Sequence, residues 1–240
     1  MHAVIIAAGI GNRLGDLTKD RPKALVPVAG RELILRTLDA VDHPAITQRT
    51  VVTGYQGDKL RKFIANTCDD VETLTNPHYK DGSIRTMETV LPVIEGDFLL
   101  MNVDHIYPKR MISHILANLR GITAMCDFDR ELGTDDMKVK LTQDGAVKGI
   151  RKTLTDYSGG YVGMTYCPGE ALGTYRRAVA QARAREGDSA NAESALALLA
   201  EEDVTINVCD VSGMRWLEVD TPEDLARAES TLNEEPEFLR

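Results

Sequence analysis

A chain of 240 residues, 43% hydrophobic and 27% charged, is long enough for one large α/β core or two small ones, and its composition excludes a disordered or fibrous protein. Its net charge of −9 argues against a general nucleic-acid-binding surface, which needs a basic excess. Apolar runs fall short of the roughly 20 residues that span a bilayer, so no membrane insertion is expected; the lack of a secretion leader and of Cys-x-x-Cys spacing among Cys68, Cys126, Cys167 and Cys209 predicts a cytoplasmic protein without disulfides or zinc.

The apolar run from His2 to Ala8 predicts a buried first strand, which opens into a turn with glycines at 9, 11 and 15. Small residues there let backbone N–H groups approach a phosphate closely, and Arg13 and Lys23 add two cations to the same neighbourhood. Neither common nucleotide fingerprint is complete. The dinucleotide motif would place a third glycine where Leu14 stands and an acid after the second strand, which ends instead in Thr53-Gly54-Tyr55. The NTPase phosphate loop is missing as well. On the glycines alone, a tight strand-to-helix turn with two surface cations accounts for the stretch equally well.

Residues 31–42 follow with apolar positions at helical spacing (Ile34, Leu38, Val41), then a strand over 49–53, a helix over 57–65 and a strand over 71–74. Strand alternating with helix predicts a parallel sheet with helices packed on its faces. Ser83 is placed to cap a helix carrying Ile84, Met87, Leu91 and Ile94. The run Phe98-Leu99-Leu100-Met101 reads as a central strand buried on both faces, and it ends in Asp104-His105. A helix opens at Pro108. From about residue 122 short strands alternate with polar turns, read as hairpins laid over one end of the sheet. Helices over 169–185 and 190–201 and strands over 204–208 and 215–219 follow. Thr221-Pro222-Glu223-Asp224 then caps a last helix. The expectation is one domain over 1–240: about 1–120 for a nucleotide, about 121–232 for an acceptor, and an acidic tail, 233–240, that frays.

Two carboxylates stand at predicted strand ends. Asp104 follows one buried strand and Asp220 another, and open α/β sheets bind ligands outside the C-terminal ends of their strands. Two carboxylates beside phosphates suit Mg²⁺, which takes oxygen ligands and keeps several waters. An aspartate after a strand is also a common turn or capping residue. His105 reads as a neighbour that orients Asp104 or contacts substrate. His2, His43 and His114 read as structural or surface groups, and His78 lies in a loop that could reach the cleft. Lys152, taken alone, reads as a solvated charge.

Together, Ala7-Ala8-Gly9-x-Gly11-x-Arg13-Leu14, Pro22-Lys23-Ala24-Leu25, Asp104 and the late Asp220-Thr221-Pro222-Glu223-Asp224 resemble the nucleotidyltransferases that activate sugar-1-phosphates and alcohol phosphates, over Met1 to about Leu232. The resemblance implies a Rossmann-like α/β fold: a mixed, mostly parallel sheet with helices on both faces and a small β-hairpin region over the acceptor site. It implies nucleotide contacts from Ala7, Ala8, Gly9, Gly11, Asn12, Arg13, Lys23, Gly54, Ser83 and Asp104, and Mg²⁺ on Asp104 and Asp220. Acceptor contacts are expected from Lys152, His105, Tyr161, Glu193 and Glu218, with Arg13, Lys23, Asp104, Asp220 and Lys152 carrying catalysis. The match at Lys152 is partial, because the family's Glu-Lys-Pro reads Arg151-Lys152-Thr153.

Within that family the wording is most similar to the CTP-dependent cytidylyltransferases. Gly82-Ser83-Ile84-Arg85 resembles the stretch whose serine contacts the base, and Asp104-His105-Ile106 with Val211-Ser212-Gly213 and Trp216 resembles the inositol-1-phosphate enzymes. Phosphocholine and 2-aminoethyl- or 2-hydroxyethylphosphonate enzymes are similar at nearly the same places. The inositol-phosphate enzymes often carry a membrane-embedded transferase domain behind this one, and none is expected here. The implied reaction is attack by an acceptor phosphate or phosphonate oxygen on the α-phosphorus of CTP, with pyrophosphate leaving and no general base needed. The alternatives are a UTP- or dTTP-dependent sugar-1-phosphate enzyme, a non-catalytic nucleotide sensor, and a dehydrogenase-like dinucleotide binder that Leu14 and the missing acid disfavour. Oligomeric state is left open.

Overall fold

A computed structural model describes residues 1–240. The chain begins with β1 (His2–Ala7), whose interior residues Ala3, Val4 and Ile5 are fully buried. A 3₁₀ turn over Asn12–Thr18 leads to a small ribbon of β2 (Pro27–Val28) and β3 (Arg31–Glu32), then to α1 (Leu33–Ala40). β4 (Gln48–Thr53), α2 (Gly57–Thr67), β5 (Glu72–Thr75), α3 (Ile84–Val90) and β6 (Phe98–Asn102) continue the alternation. β1 pairs in parallel with β4 on one side and β6 on the other, and β5 extends the same parallel half beyond β4.

After the two-residue β7 (His105–Ile106) and α4 (Lys109–Ala117) come β8 (Thr123–Asp127), β9 (Lys138–Leu141), β10 (Val147–Arg151) and β11 (Gly159–Cys167). The hairpin reading of this region is corrected in one respect: the strands are not laid over the sheet but continue it. β11 runs antiparallel beside β6 and receives β9 at its start and β8 along its length, with β10 on the edge. The register slips between Tyr161 and Thr165, where Gly163 takes φ +72°. A side chain there would meet Asn102, His105 and Tyr107, so only glycine lets β11 pass this close. α5 (Leu172–Glu186), α6 (Ser194–Glu201), β12 (Asn207–Asp210), β13 (Leu217–Glu218) and α7 (Pro222–Glu234) complete the chain.

Side chains alternate across the sheet with the two-residue period of a strand. Val4, Phe98 and Leu100 face a core built with α3, α5 and α6, while Ile5, Leu99 and Met101 face α1, α2 and α4. The result is a mixed sheet, parallel around β1, with helices on both faces, as the sequence predicts. No helix is long and apolar enough to cross a membrane. The expected fraying of the tail is corrected. Phe238 is 3% exposed, with the Arg215 guanidinium 5.3 Å from its ring centre, and Arg110 donates to the Phe238 carbonyl at 2.8 Å. Phe238 anchors the tail and Leu239 packs beside it against the core, a signal that the surrounding acidic residues mask.

Candidate active site

The loop leaving β1 is shaped by its small residues. Gly11 has φ +72°, and a Cβ there would lie 2.9 Å from that of Lys23, so glycine is needed both for the turn and for the lysine's approach. Gly9 has nothing within 4 Å of where a side chain would be, leaving its backbone open to a cavity of about 660 Å³. Ala7, Ala8, Gly9, Gly11, Asn12 and Lys23 line that cavity, with Tyr79, Lys80 and Ser83 opposite. A second, polar cavity of about 460 Å³ is lined by Arg13, His105, Lys152, Tyr161, Glu218 and Asp220. The two share Ser83, Asn102, Asp104 and Glu193, so Asp104 stands where they meet.

Asp104 and Asp220 come together through local pairing. β7 and β13 form a two-stranded antiparallel ribbon in which Glu218 opposes His105, and the Val219 N–H donates to the Asp104 carbonyl at 2.9 Å. Asp220 therefore follows this short ribbon and not a strand of the main sheet, contrary to the expectation from sequence. Lys23 Nζ lies 2.8 Å from Asp104 Oδ2 and also pairs with Asp220 Oδ1; Arg13 pairs with Asp220 and, at 3.3 Å, with Asp135. His105 Nδ1 is 2.7 Å from Asp104 Oδ1.

Charge and burial set the protonation states. Burial opposes the Lys23 charge, but Asp104 and Asp220 outweigh it and raise the ammonium above its ordinary value. Burial would also raise the Asp104 carboxyl; Lys23 and His105 reverse this and hold it well below the usual carboxylate range. His105 is raised in turn, burial being overcome chiefly by Asp104. On the acceptor side, burial pushes Glu193 and Glu218 up. His105 is held between two rings, stacked at 5.0 Å on Trp216 and at 5.6 Å on Tyr107. Trp216 is fixed by donating to Asp127 Oδ2 at 2.9 Å, and the Arg130 guanidinium lies 4.0 Å from the Trp216 ring centre.

Of the nucleotide, acceptor, metal and catalytic residues expected from the resemblance, all but Gly54 reach one of the two cavities. Arg13 lines the polar cavity and not the one beside Gly9. Gly54 lies behind the β1 loop, where a Cβ would meet the Ala8 carbonyl oxygen at 2.6 Å; it supports the loop from beneath. Ser83 precedes α3 but does not cap it with its hydroxyl, which instead accepts from the Ala192 N–H at 3.0 Å. His78 does not line either cavity. Sequence reasoning missed Asn102, Arg130, Asp135 and Asp136, all lining the polar cavity; Asn191, whose loop the sequence points to as shaping the acceptor pocket, lines it too. Asn102 was findable, because it ends the same buried strand that leads to Asp104.

No three His, Cys, Asp or Glu side chains gather at metal-ligand spacing. Asp104 and Asp220 nevertheless turn oxygens toward one ammonium, so both carboxylates reach a single cation-sized position. Two hard oxygen donors suit Mg²⁺, which is commonly held by one or two carboxylates, with water and substrate phosphates completing the shell.

The family described as the MobA-like NTP transferase domain matches residues 3–204, and the chain belongs to it: the protein is a nucleotidyltransferase. Among curated relatives, the bifunctional IPC transferase and DIPP synthase of Aquifex aeolicus (strain VF5) is 30% identical over 237 residues, covering 96% of this chain and 51% of its own length. The chain thus spans about half the length of these curated relatives. Among the solved structures that share its fold are two cytidylyl-transferring enzymes. The inositol-1-phosphate CTP transferase from T. maritima superposes with a TM-score of 0.80 at 18% identity, over 98% of this chain and 96% of its own. The CTP:phosphocholine cytidylyltransferase from Streptococcus pneumoniae gives 0.79 at 20% identity, over 96% and 98%.

Proposed function

We propose that the chain transfers a cytidylyl group from CTP to a small phosphorylated alcohol, a polyol phosphate of the inositol-1-phosphate kind, and releases pyrophosphate. The observation that carries this reading is the meeting of the two cavities at Asp104, one walled by the β1 loop and Lys23, the other polar and bearing Lys152. The names of the relatives and fold neighbours support CTP and a phosphate acceptor. The polar cavity supports a hydroxylated acceptor. Asn102, Asn191, Glu193 and Glu218 offer hydrogen-bond partners to hydroxyls. A quaternary ammonium would instead seek an open aromatic face. Trp216 offers none, since His105 stacks on its ring and Arg130 lies over it.

In the proposed reaction an anionic oxygen of the acceptor phosphate forms a bond to the α-phosphorus, and the bond from that phosphorus to the bridging oxygen of the β-phosphate breaks in line with it. The attacking oxygen is already ionised near neutral pH, because a phosphate monoester's second pKa is about 6, so the site needs no base. Both reactants are anions, and the work is alignment and charge neutralisation. The β1 loop's N–H groups and Lys23 receive the nucleotide's phosphates, Arg13 faces the reacting centre from the polar side, and Lys152 holds the acceptor phosphate. Asp104 and Asp220 would hold Mg²⁺, which supplies further neutralisation of the phosphoryl oxygens when bound.

The test is pyrophosphate release with Mg²⁺ across CTP, UTP and dTTP against inositol-1-phosphate, phosphocholine, 2-aminoethylphosphonate and glucose-1-phosphate. Release with CTP and the polyol phosphate is expected. Turnover confined to phosphocholine or the phosphonate would overturn the acceptor, and turnover only with UTP or dTTP would overturn the base. No release in any pairing, despite nucleotide binding by calorimetry, would leave a sensor.

A further inference from the structure

Lys138 opens β9 and is 7% exposed, yet no carboxylate pairs with it. Its ammonium donates to three main-chain carbonyls: Gly133 at 2.8 Å, Lys152 at 3.1 Å and Asp136 at 3.4 Å. An ammonium has three N–H donors and no acceptor, so this set uses its whole capacity. The Tyr157 ring centre lies 5.8 Å away, but no carboxylate compensates the charge; burying it is costly, and three hydrogen bonds from a charged donor offset that cost only if all three carbonyls stay in place. The strand pairing does not need it, because β9 and β10 already pair through their own backbones.

The three carbonyls belong to the two segments that wall the polar cavity. One is the turn around 133–136, which carries Asp135, the partner of Arg13, and Asp136. The other is the end of β10, which presents Lys152. Close packing seats the first segment: side chains at Gly159 and Gly160 would collide with Phe128 and Leu132. The β9–β10 ladder brings Lys138 opposite Arg151, and beyond the ladder's end the ammonium links the turn's Gly133 carbonyl directly to that of Lys152.

We propose that Lys138 is a positioning residue for the acceptor, fixing the Lys152 backbone against the Asp135–Asp136 turn so that the acceptor phosphate is received at one distance from Asp104. The inference rests on the acceptor reading given above for the polar cavity. Lys138 itself does not line that cavity, so its effect passes through Lys152 and the turn.

The experiment compares wild type, K138M, K138R and K152A by steady-state kinetics with CTP and inositol-1-phosphate, together with hydrogen exchange of the free proteins. K138M should raise the acceptor KM about tenfold while leaving the CTP KM within about twofold. K138R, which keeps charge and donors, should recover part of the loss. Exchange should rise at 133–136 and 151–154 in K138M and stay unchanged at 9–14. An acceptor KM unmoved in K138M, with K152A raising it, would overturn the proposal while sparing the acceptor reading. Equal rises in both KM values would also overturn it, by showing a general loosening. If K138M does not fold, K138R decides alone: a selective rise of about threefold in acceptor KM supports the proposal, and none overturns it. Absence of turnover in the wild type would instead sink the acceptor reading, and with it this one.

Discussion

Lys23 Nζ stands 2.8 Å from Asp104 Oδ2 while also pairing with Asp220, so one buried ammonium ties together two carboxylates more than a hundred residues apart. On the proposed reading the same oxygens would hold Mg²⁺, so a metal ion and the ammonium would compete for them unless a nucleotide phosphate drew the lysine away. Replacing Lys23 with Met removes the competitor that bridges the two carboxylates, leaving only Arg13 beside Asp220 and His105 beside Asp104. Mn²⁺ affinity of the nucleotide-free protein, read by electron paramagnetic resonance, should therefore rise by about tenfold in K23M. CTP affinity should fall in the same variant. Weaker Mn²⁺ binding in K23M would show that the carboxylates are not the metal's seat.

Asp104→Asn and Asp220→Asn each keep the side-chain volume and remove one negative charge from the centre. Turnover should fall at least about 100-fold in either, with circular dichroism unchanged. Near-wild-type rates in one of them would remove that residue from the catalytic set.

The parallel half of the fold was legible because its signals are local. β1 and β6 are continuous apolar runs, and the glycines and Asp104 lie at their C-terminal ends. The meeting of Asp104 with Asp220 was inferred correctly but for an incomplete reason. It depends on the β7–β13 ribbon, two residues on each side, which is too short to carry a periodic pattern. The wall formed by Arg130, Asp135 and Asp136 was not legible, because the course of that polar stretch is set by close packing at Gly159 and Gly160, far along the chain. The seating of the tail was missed for a related reason: Phe238 and Leu239 are a short apolar pair after a run of acids, and the anchor of Phe238, Arg215, precedes α7.

Trp216 is the chain's one tryptophan, so its fluorescence reports on the site directly. W216F keeps a ring to stack on His105 but removes the N–H that Asp127 Oδ2 accepts. The buried carboxylate oxygen left without this donor should cost about 1–3 kcal/mol in urea unfolding. Because His105 orients Asp104, kcat should fall more than either KM rises. Stability equal to wild type would mean that the Trp216–Asp127 bond contributes nothing net. In wild type, Mn²⁺ binding at Asp104 should change the Trp216 emission through His105, and a flat emission across a saturating titration would uncouple the stack from the metal.

His2 gives a pH test far from the active centre. Its ring lies 2.8 Å from Thr50 Oγ1 in the buried start of β1, and burial lowers its pKa below the ordinary value, against the opposing charge of Glu72 and with some help from the N-terminus. The unfolded chain therefore binds a proton at this position more readily than the folded one. The stability that follows is fully present above the unfolded pKa of about 6.5 and declines as pH falls from there toward the lower folded value. His105, raised in the folded state, works in the opposite direction, so the His2 contribution must be isolated by difference. His2→Asn keeps a hydrogen-bonding side chain that does not titrate. Between pH 7.5 and 5.0 the urea midpoint of wild type should fall further than that of H2N, the gap opening below about pH 6.5. Parallel midpoint curves for the two proteins would mean that His2 takes its proton equally well in both states, and that the buried start of β1 carries no pH sensitivity.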